Sequence, residues 1–168
     1  MTLLAQQLVL GLLIGGLYGL AAAGLSLVFG VMRVLNVAHG ELIMLGGYGA
    51  FWLATLLGID PFASLALVIP GALLLGAALY WSLFGFVVRA PEETRVKNSL
   101  LIGFGLALAL HALAVRLWTA DERSIPTSYA GAVLTLGDVS IPLVRLATLV
   151  LALVLIGALQ LQIGRAHV

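Results

Sequence analysis

The sequence predicts an all-α polytopic membrane protein with about five transmembrane helices. Of its 168 residues, 62% are hydrophobic and only 9% are charged, whereas about 25% of the residues of a soluble domain are charged. Apolar runs of about 20 residues, the length that crosses a bilayer as a helix, recur along the chain between short polar stretches. The predicted spans cover residues 3–31, 42–59, 62–88, 99–118 and 143–161.

The first predicted span contains no charged residue, and no basic residue precedes it. Because the run is also too long for the apolar region of a signal peptide, we expect it to be retained as a membrane helix. Gly11, Gly15 and Gly19 recur at every fourth position and give one helix face a stripe without side chains. Such a stripe lets another helix approach closely, and packing within the membrane bundle is favoured over homodimerisation.

The second and third predicted spans are interrupted by glycine and proline. Three glycines lie within residues 46–49, and Asp60-Pro61 is predicted to end the second span because proline cannot continue a hydrogen-bonded helix. Pro70 predicts a kink in the third span. The most polar stretch of the chain, residues 89–98, follows and is predicted to be an aqueous loop.

The fourth predicted span contains His111, for which a hydrogen bond to another helix is favoured over a role as a ligand. The span ends at Trp118, a predicted anchor at the membrane interface. Residues 119–142 are predicted to form a polar loop with a turn at Gly137-Asp138, which leads into the fifth span.

The basic residues predict the orientation, because lysine and arginine favour the cytoplasmic side of a membrane. With the N-terminus outside, the cytoplasmic ends of the spans carry more basic residues than the outer ends. We therefore predict an external N-terminus and a cytoplasmic C-terminus. The basic residues then on the cytoplasmic side are Arg33, Arg89, Arg95, Lys97 and Arg165.

A polar cluster, Arg33, Asn36, His39 and Glu41, lies between the first two apolar runs. Ionisable side chains at membrane depth are costly and usually face a bundle interior or water, so this cluster could line a substrate path. A break at Gly40 would also expose backbone groups, as discontinuous transporter helices do near their sites. Alternatively, Glu41 and His39 pair with Arg33 or with the backbone at the start of the second helix. Asn36 then caps this helix, and the Glu41 carboxylate lies near its positive end. The residues leave both interpretations open.

Three short segments around this cluster resemble one protein family. They are Asn36-Val-Ala-His-Gly-Glu41, preceded by Gly15-Gly-Leu-Tyr-Gly-Leu20 and followed by Met44-Leu-Gly-Gly-Tyr48. With these segments, the whole chain resembles the LivH-type permeases of branched-chain amino acid ABC importers.

The resemblance implies a permease subunit that moves branched-chain amino acids across the cell inner membrane, as a multi-pass protein in contact with membrane lipid. Its implied partners are cytoplasmic ATPase subunits, a second permease subunit and a periplasmic substrate-binding protein. The resemblance places Asn36, His39, Gly40 and Glu41 either in the substrate path or in a structural motif.

The length of the chain differs from the family pattern. Because family members continue well beyond the fifth span, the resemblance identifies residues 1–168 as the N-terminal part of a permease transmembrane domain. Gly164 and Arg165 resemble the start of the cytoplasmic segment that couples the permease to its ATPase. Residues 163–168 also match the in-frame translation of a common sequencing adapter, and both interpretations stay open.

Several other functions are compatible with parts of the sequence. Urea and short-chain amide permeases are similar to this family, and a non-transporting structural membrane fragment is another alternative. An intramembrane enzyme built on His39 and Glu41 lacks a nucleophile, since the sequence has no cysteine, no Gly-x-Ser-x-Gly and no His-Glu-x-x-His. No Walker motif occurs either, so we expect no enzyme activity here and ATP hydrolysis on a separate subunit. The three histidines lie on separate segments, and we expect no metal, no cofactor and no nucleic-acid partner.

Overall fold

The computed structural model describes residues 2–165 and, within them, the side chains of residues 3–161. This part of the chain is mostly helical with one small β-hairpin, and five of its helices are long and apolar enough to cross a membrane. The predicted helical, polytopic fold is therefore confirmed. Its elements are α1 (Thr2–Met32), α2 (His39–Leu57), α3 (Pro61–Leu79), a π-helical turn (Tyr80–Phe84), α4 (Gly85–Val88), α5 (Glu92–Trp118), β1 (Val133–Leu136), β2 (Val139–Pro142) and α6 (Leu143–Arg165).

The chain divides into two compact units, one formed by residues 1–26 and 126–168 and the other by residues 27–125. In the first unit, α1 and α6 approach each other at Gly16 and Leu149. A Cβ atom at Gly16 would overlap the end of the Leu149 side chain, so the glycine leaves room for that side chain. Leu13 of α1 and Ala152 of α6 are both buried in this unit.

The β-hairpin of the first unit is tied to α1 by the side chain of Gln6. Gln6 Nε2 donates to the Ser140 carbonyl, and Gln6 Oε1 accepts from the Ser140 N–H, both at 2.8 Å. The amide thus pairs with β2 as a neighbouring strand would. Gly137, with φ of 62°, provides the left-handed conformation that a two-residue hairpin turn needs. The turn predicted at Gly137-Asp138 is confirmed, whereas the flanking strands were not predicted.

In the second unit, α2 and α3 form a helical hairpin with a tight connection. Gly58 ends α2 in the left-handed conformation (φ 64°). The carboxylate of Asp60 then caps α3 by accepting from the N–H groups of Phe62 at 2.9 Å and Ala63 at 3.4 Å. Pro61 occupies the first position of α3, where the missing N–H costs nothing. The end predicted for the second span at Asp60-Pro61 agrees with this geometry.

Two helix starts differ from the sequence-based prediction, and the third membrane segment contains an irregular turn that the sequence does not predict. Helix α5 begins at Glu92, so the loop predicted for residues 89–98 is wrong from that residue onward. Acidic residues favour a helix N-terminus, and the polarity of the stretch indicates contact with water without excluding helix. Helix α2 begins at His39, three residues before the predicted span. Helix α3 continues through Pro70, and the irregular turn of this segment is the π-helical one at Tyr80–Phe84.

Candidate functional site

The polar cluster lies at a break between α1 and α2, in the second unit. Residues 33–38, here called the linker, contain no regular secondary structure. Arg33 begins the linker with φ of 54°, a left-handed conformation that residues with side chains rarely adopt. The guanidinium of Arg33 lies 5.9 Å from the centre of the Phe29 ring, on the preceding turn of α1 and not beside Glu41.

Ser99 of α5 ties the linker backbone to a membrane-spanning helix. Its side chain is fully buried. The hydroxyl oxygen accepts from the Leu35 N–H at 3.0 Å, while the hydroxyl donates to the Val96 carbonyl at 2.8 Å. The hydroxyl therefore supplies a partner for a linker N–H that has no helix of its own to bond to.

Gly103 lies one turn beyond Ser99 on α5 and also contacts the linker. A Cβ atom at Gly103 would lie 2.9 Å from the Val37 nitrogen and 3.4 Å from the Leu35 carbonyl oxygen. Residues four apart lie on the same face of a helix, so Ser99 and Gly103 together form a groove for the linker. We call these two residues the α5 brace.

The linker also packs against the end of the third membrane segment. Val34 is only 1% exposed and forms a buried cluster with Phe84 and Val87. Phe84 belongs to the π-helical turn, and a Cβ atom at Gly85 would approach the Tyr80 carbonyl to 3.0 Å. The π-helical turn and Gly85, which follows it, thus help to place apolar side chains against the linker.

Successive contacts along α5 show that the linker runs beside this helix in the same direction. Leu35 lies at Ser99, Val37 at Gly103, and Glu41 at His111. A helix rises about 1.5 Å per residue, so Ser99 and His111 are separated by about 18 Å along the axis. The apolar part of α5 starts at Ser99, and a hydrocarbon core is about 30 Å thick. The contacts therefore place the start of α2 beside α5 residues that lie well beyond the beginning of its apolar part.

Asn36 satisfies backbone groups at the start of α2. Its side-chain oxygen accepts from the Ala38 N–H at 3.1 Å, and its carbonyl accepts from the His39 N–H at 3.1 Å. The N-cap position itself is occupied by Ala38, which has no capping side chain. Asn36 therefore supports the start of α2 through a turn of the Asx type. The N-cap predicted at Asn36 is wrong by two residues, because the helix begins after Ala38.

Glu41 lies in the first turn of α2 and faces His111 of α5. Glu41 Oε1 and His111 Nδ1 are 3.5 Å apart, and the two side chains are 25% and 64% exposed. They form an ion pair whenever the imidazole is protonated. His111 thus makes the helix-to-helix contact that was favoured for it, and its partner is Glu41. No pattern in the sequence pairs these two residues.

Aromatic and charged residues surround the far end of α5. Tyr48 of α2 stacks on Trp118 with ring centres 4.3 Å apart. The guanidinium of Arg123 lies 5.4 Å from the centre of the Phe51 ring and 5.7 Å from that of Trp52, and it donates to the Trp118 carbonyl at 2.9 Å. Cations over aromatic faces are attracted by the ring quadrupole. This contact orients Arg123 beside a pocket of about 320 Å³ that Asp121 and Glu122 also line.

An apolar cleft of about 580 Å³ separates α2 from α3. Two of its glycines lie on α2 against Val68 of α3, since Cβ atoms at Gly46 and Gly49 would approach the Val68 methyl groups to 3.9 and 3.5 Å. The cleft begins at Leu42, next to Glu41. The polar first turn of α2 is therefore followed directly by the residues that line the apolar cleft.

The remaining predicted site residues are not tested by these contacts. Cβ atoms at Gly11, Gly15 and Gly19 would meet no described atom within 4 Å, so their role in packing stays a prediction about other helices. Helix α6 includes Gly164 and Arg165, but the Arg165 side chain lies outside the described part. Coupling to an ATPase through these residues also stays a prediction.

Fold and site together define a class: a multi-pass α-helical membrane protein in which a helix break lies beside a polar pair. The family model described as "branched-chain amino acid transport system / permease component" matches residues 7–165. The chain belongs to this family, which confirms the resemblance inferred from the motifs. Family and helices together support the predicted multi-pass location in the cell inner membrane.

Curated relatives agree with the family. The chain is 30% identical over 131 residues to the high-affinity branched-chain amino acid transport system permease protein BraD of Pseudomonas aeruginosa. It is 26% identical over 130 residues to the corresponding LivH proteins of Salmonella typhimurium and Escherichia coli. Each match covers 75% of this chain and 42% of the relative, so the chain spans less than half the length of these relatives. No solved structure matches the chain significantly.

Proposed function

We propose that this chain forms part of the membrane pathway of an ABC importer for branched-chain amino acids. The family and the named relatives support this substrate class. The observation that carries the proposal is the start of α2 beside the middle of α5, where Glu41 faces His111 and an apolar cleft begins at the next residue of α2, Leu42. A branched-chain amino acid requires both properties, because its charged ends need polar partners and its side chain needs apolar surroundings.

In this proposal, Asn36, His39, Gly40 and Glu41 line the substrate path where α2 begins. The carboxylate of Glu41 offers a partner for the ammonium group of the substrate, and His111 holds that carboxylate when the imidazole is protonated. The N-terminus of α2 carries a partial positive charge, which favours the substrate carboxylate. The cleft between α2 and α3 accommodates the aliphatic side chain.

The chain carries out no chemical reaction in this proposal, and ATP is hydrolysed by a separate cytoplasmic subunit. A periplasmic substrate-binding protein delivers the amino acid, and a second permease subunit supplies further helices of the pathway. Gly164 and Arg165 begin the segment that contacts the ATPase. The relatives, described as components of transport systems, support such an assembly.

Replacing the Glu41 carboxylate tests the proposal. In cells that produce the chain with its partner subunits, Glu41→Gln is expected to reduce uptake of labelled leucine at least about tenfold, because a lost charge-assisted contact costs about 1.5–3 kcal/mol. The amount of protein in the membrane should change little. Glu93→Gln, on the exposed first turn of α5, is the matched control and should transport normally.

The outcomes separate transport from a purely structural role. Equal losses of uptake and of membrane protein would show that Glu41 only stabilises the helix break. Competition by urea, but not by valine, would replace the substrate class with the urea or amide alternative. No uptake with any combination of partner subunits would favour a structural membrane fragment.

A further inference from the structure

We propose that Ser99 and Gly103 of α5 are positioning residues for transport. They hold the linker against α5 and thereby fix the depth at which α2, with Glu41 in its first turn, begins. The consequence for transport rests on the function proposed above. The placement of α2 is a property of this chain and can be measured without transport.

The hydroxyl of Ser99 contributes an acceptor at a depth where water is scarce. The Leu35 N–H belongs to an irregular segment, and an unsatisfied backbone group within the hydrocarbon layer is unfavourable. Ser99 already donates its proton to the Val96 carbonyl, so the oxygen lone pairs remain available for Leu35 at 3.0 Å. An alanine at this position would leave the Leu35 N–H without that partner.

Gly103 leaves space for the linker backbone, because every other residue type has a Cβ atom at this position. The atom closest to a Cβ at this position is the Val37 backbone nitrogen, at 2.9 Å. A backbone atom cannot rotate aside as the end of a side chain can, so a methyl group must push the linker and α5 apart. Gly105, on the same helix, has no described atom within 4 Å of its Cβ position. Alanine there adds the same methyl group without the contact.

Few residues separate the α5 brace from Glu41. Val37 lies against Gly103, Ala38 is fully buried, and Asn36 closes the turn that precedes α2. A displacement of Val37 should therefore also move the first turn of α2. The distance between Glu41 and His111 reports on this displacement.

Cross-linking measures the placement directly, since the chain contains no cysteine. A chain that carries Glu41→Cys and His111→Cys has two thiols, which a short bifunctional thiol reagent can join in native membranes. Adding Gly103→Ala is expected to lower the cross-linking yield about tenfold, as overpacking displaces the linker. Adding Gly105→Ala should leave the yield unchanged. Equal yields in the two glycine variants would overturn the proposal.

Ser99→Ala provides a second test that does not depend on overpacking. It removes the acceptor without adding volume, and it should also lower the cross-linking yield. If Gly103→Ala fails to accumulate in membranes, this variant decides the outcome. An unchanged yield in Ser99→Ala would then contradict the positioning role.

Transport provides the readout of function, in chains that keep Glu41 and His111. With the partner subunits present, Gly103→Ala and Ser99→Ala should reduce leucine uptake, whereas Gly105→Ala should not, at equal amounts of membrane protein. Loss of the cross-link with full uptake would overturn the role in transport. If the unmodified chain shows no uptake, the proposed function fails, and the cross-linking result still decides whether Ser99 and Gly103 place α2.

Discussion

The two connections on either side of α2 each join two membrane helices, but they are stabilised in different ways. The turn between α2 and α3 is stabilised locally: Gly58 adopts a left-handed conformation and Asp60 caps the next helix. The linker between α1 and α2 begins with Arg33 in a left-handed conformation, and its Leu35 N–H donates to the hydroxyl of Ser99, far along the chain. One connection depends on its own residues alone, whereas the other depends on a neighbouring helix as well.

The difference follows from where each connection lies. The turn at Gly58–Asp60 ends a span, where water can satisfy the remaining backbone groups, so a short standard turn is sufficient. The linker runs beside the apolar part of α5, where irregular backbone is tolerated only against protein or a water-filled cavity. A connection that must expose polar groups at depth needs a dedicated partner. The α5 brace is that partner.

Removing the Ser99 hydroxyl is the substitution expected to affect stability most. Ser99→Ala should lower the free energy of unfolding by about 1–3 kcal/mol, because a buried N–H loses its acceptor. Unfolding of the purified chain in detergent, followed by circular dichroism with increasing denaturant, measures the change. Ser82→Ala is the matched control, since the exposed Ser82 hydroxyl bonds only to Ala78 of its own segment.

The comparison predicts that Ser82→Ala lowers the free energy of unfolding only slightly, within about 0.5 kcal/mol, as for most surface substitutions. Equal losses for the two serine variants would show that the linker does not depend on α5. The linker would then be a local connection like the turn after α2.

Removing the Asp60 cap should have a smaller effect, confined to α3. Asp60→Ala is expected to cost about 1 kcal/mol, the usual value for an N-cap. Asp60→Asn should cost only a few tenths, because the amide oxygen can accept from the same N–H groups. The same unfolding experiment measures both. A loss for Asp60→Ala larger than that for Ser99→Ala would reverse the comparison.

The features predicted from the sequence are those determined by neighbouring residues. The apolar runs predicted the spans because length and hydrophobicity suffice to cross a bilayer, and Asp60-Pro61 and Gly137-Asp138 predicted their turns. The helical start of α5 is not predicted, because a polar stretch such as residues 92–98 is compatible with either a helix in water or a loop. The π-helical turn at Tyr80–Phe84 has no local sequence signal.

The candidate site could be predicted only in part. The motif from Asn36 to Glu41 indicated where the chain breaks, but not what supports the break. Ser99 was placed only as the first residue of a span, and Gly103 resembled any other membrane glycine. Their roles depend on which segment lies against α5, and a single sequence does not reveal that contact.

The depth of the start of α2 tests the central claim most directly. Single spin labels can be attached at Gly40→Cys, Leu108→Cys and Lys97→Cys in this cysteine-free chain, and their depth in a bilayer follows from collisions with oxygen and with a water-soluble nickel reagent. Positions 97 and 108 lie about 16 Å apart along α5. We predict that the label at position 40 lies at the depth of the label at 108. A label at the depth of position 97, near the membrane surface, would contradict the account.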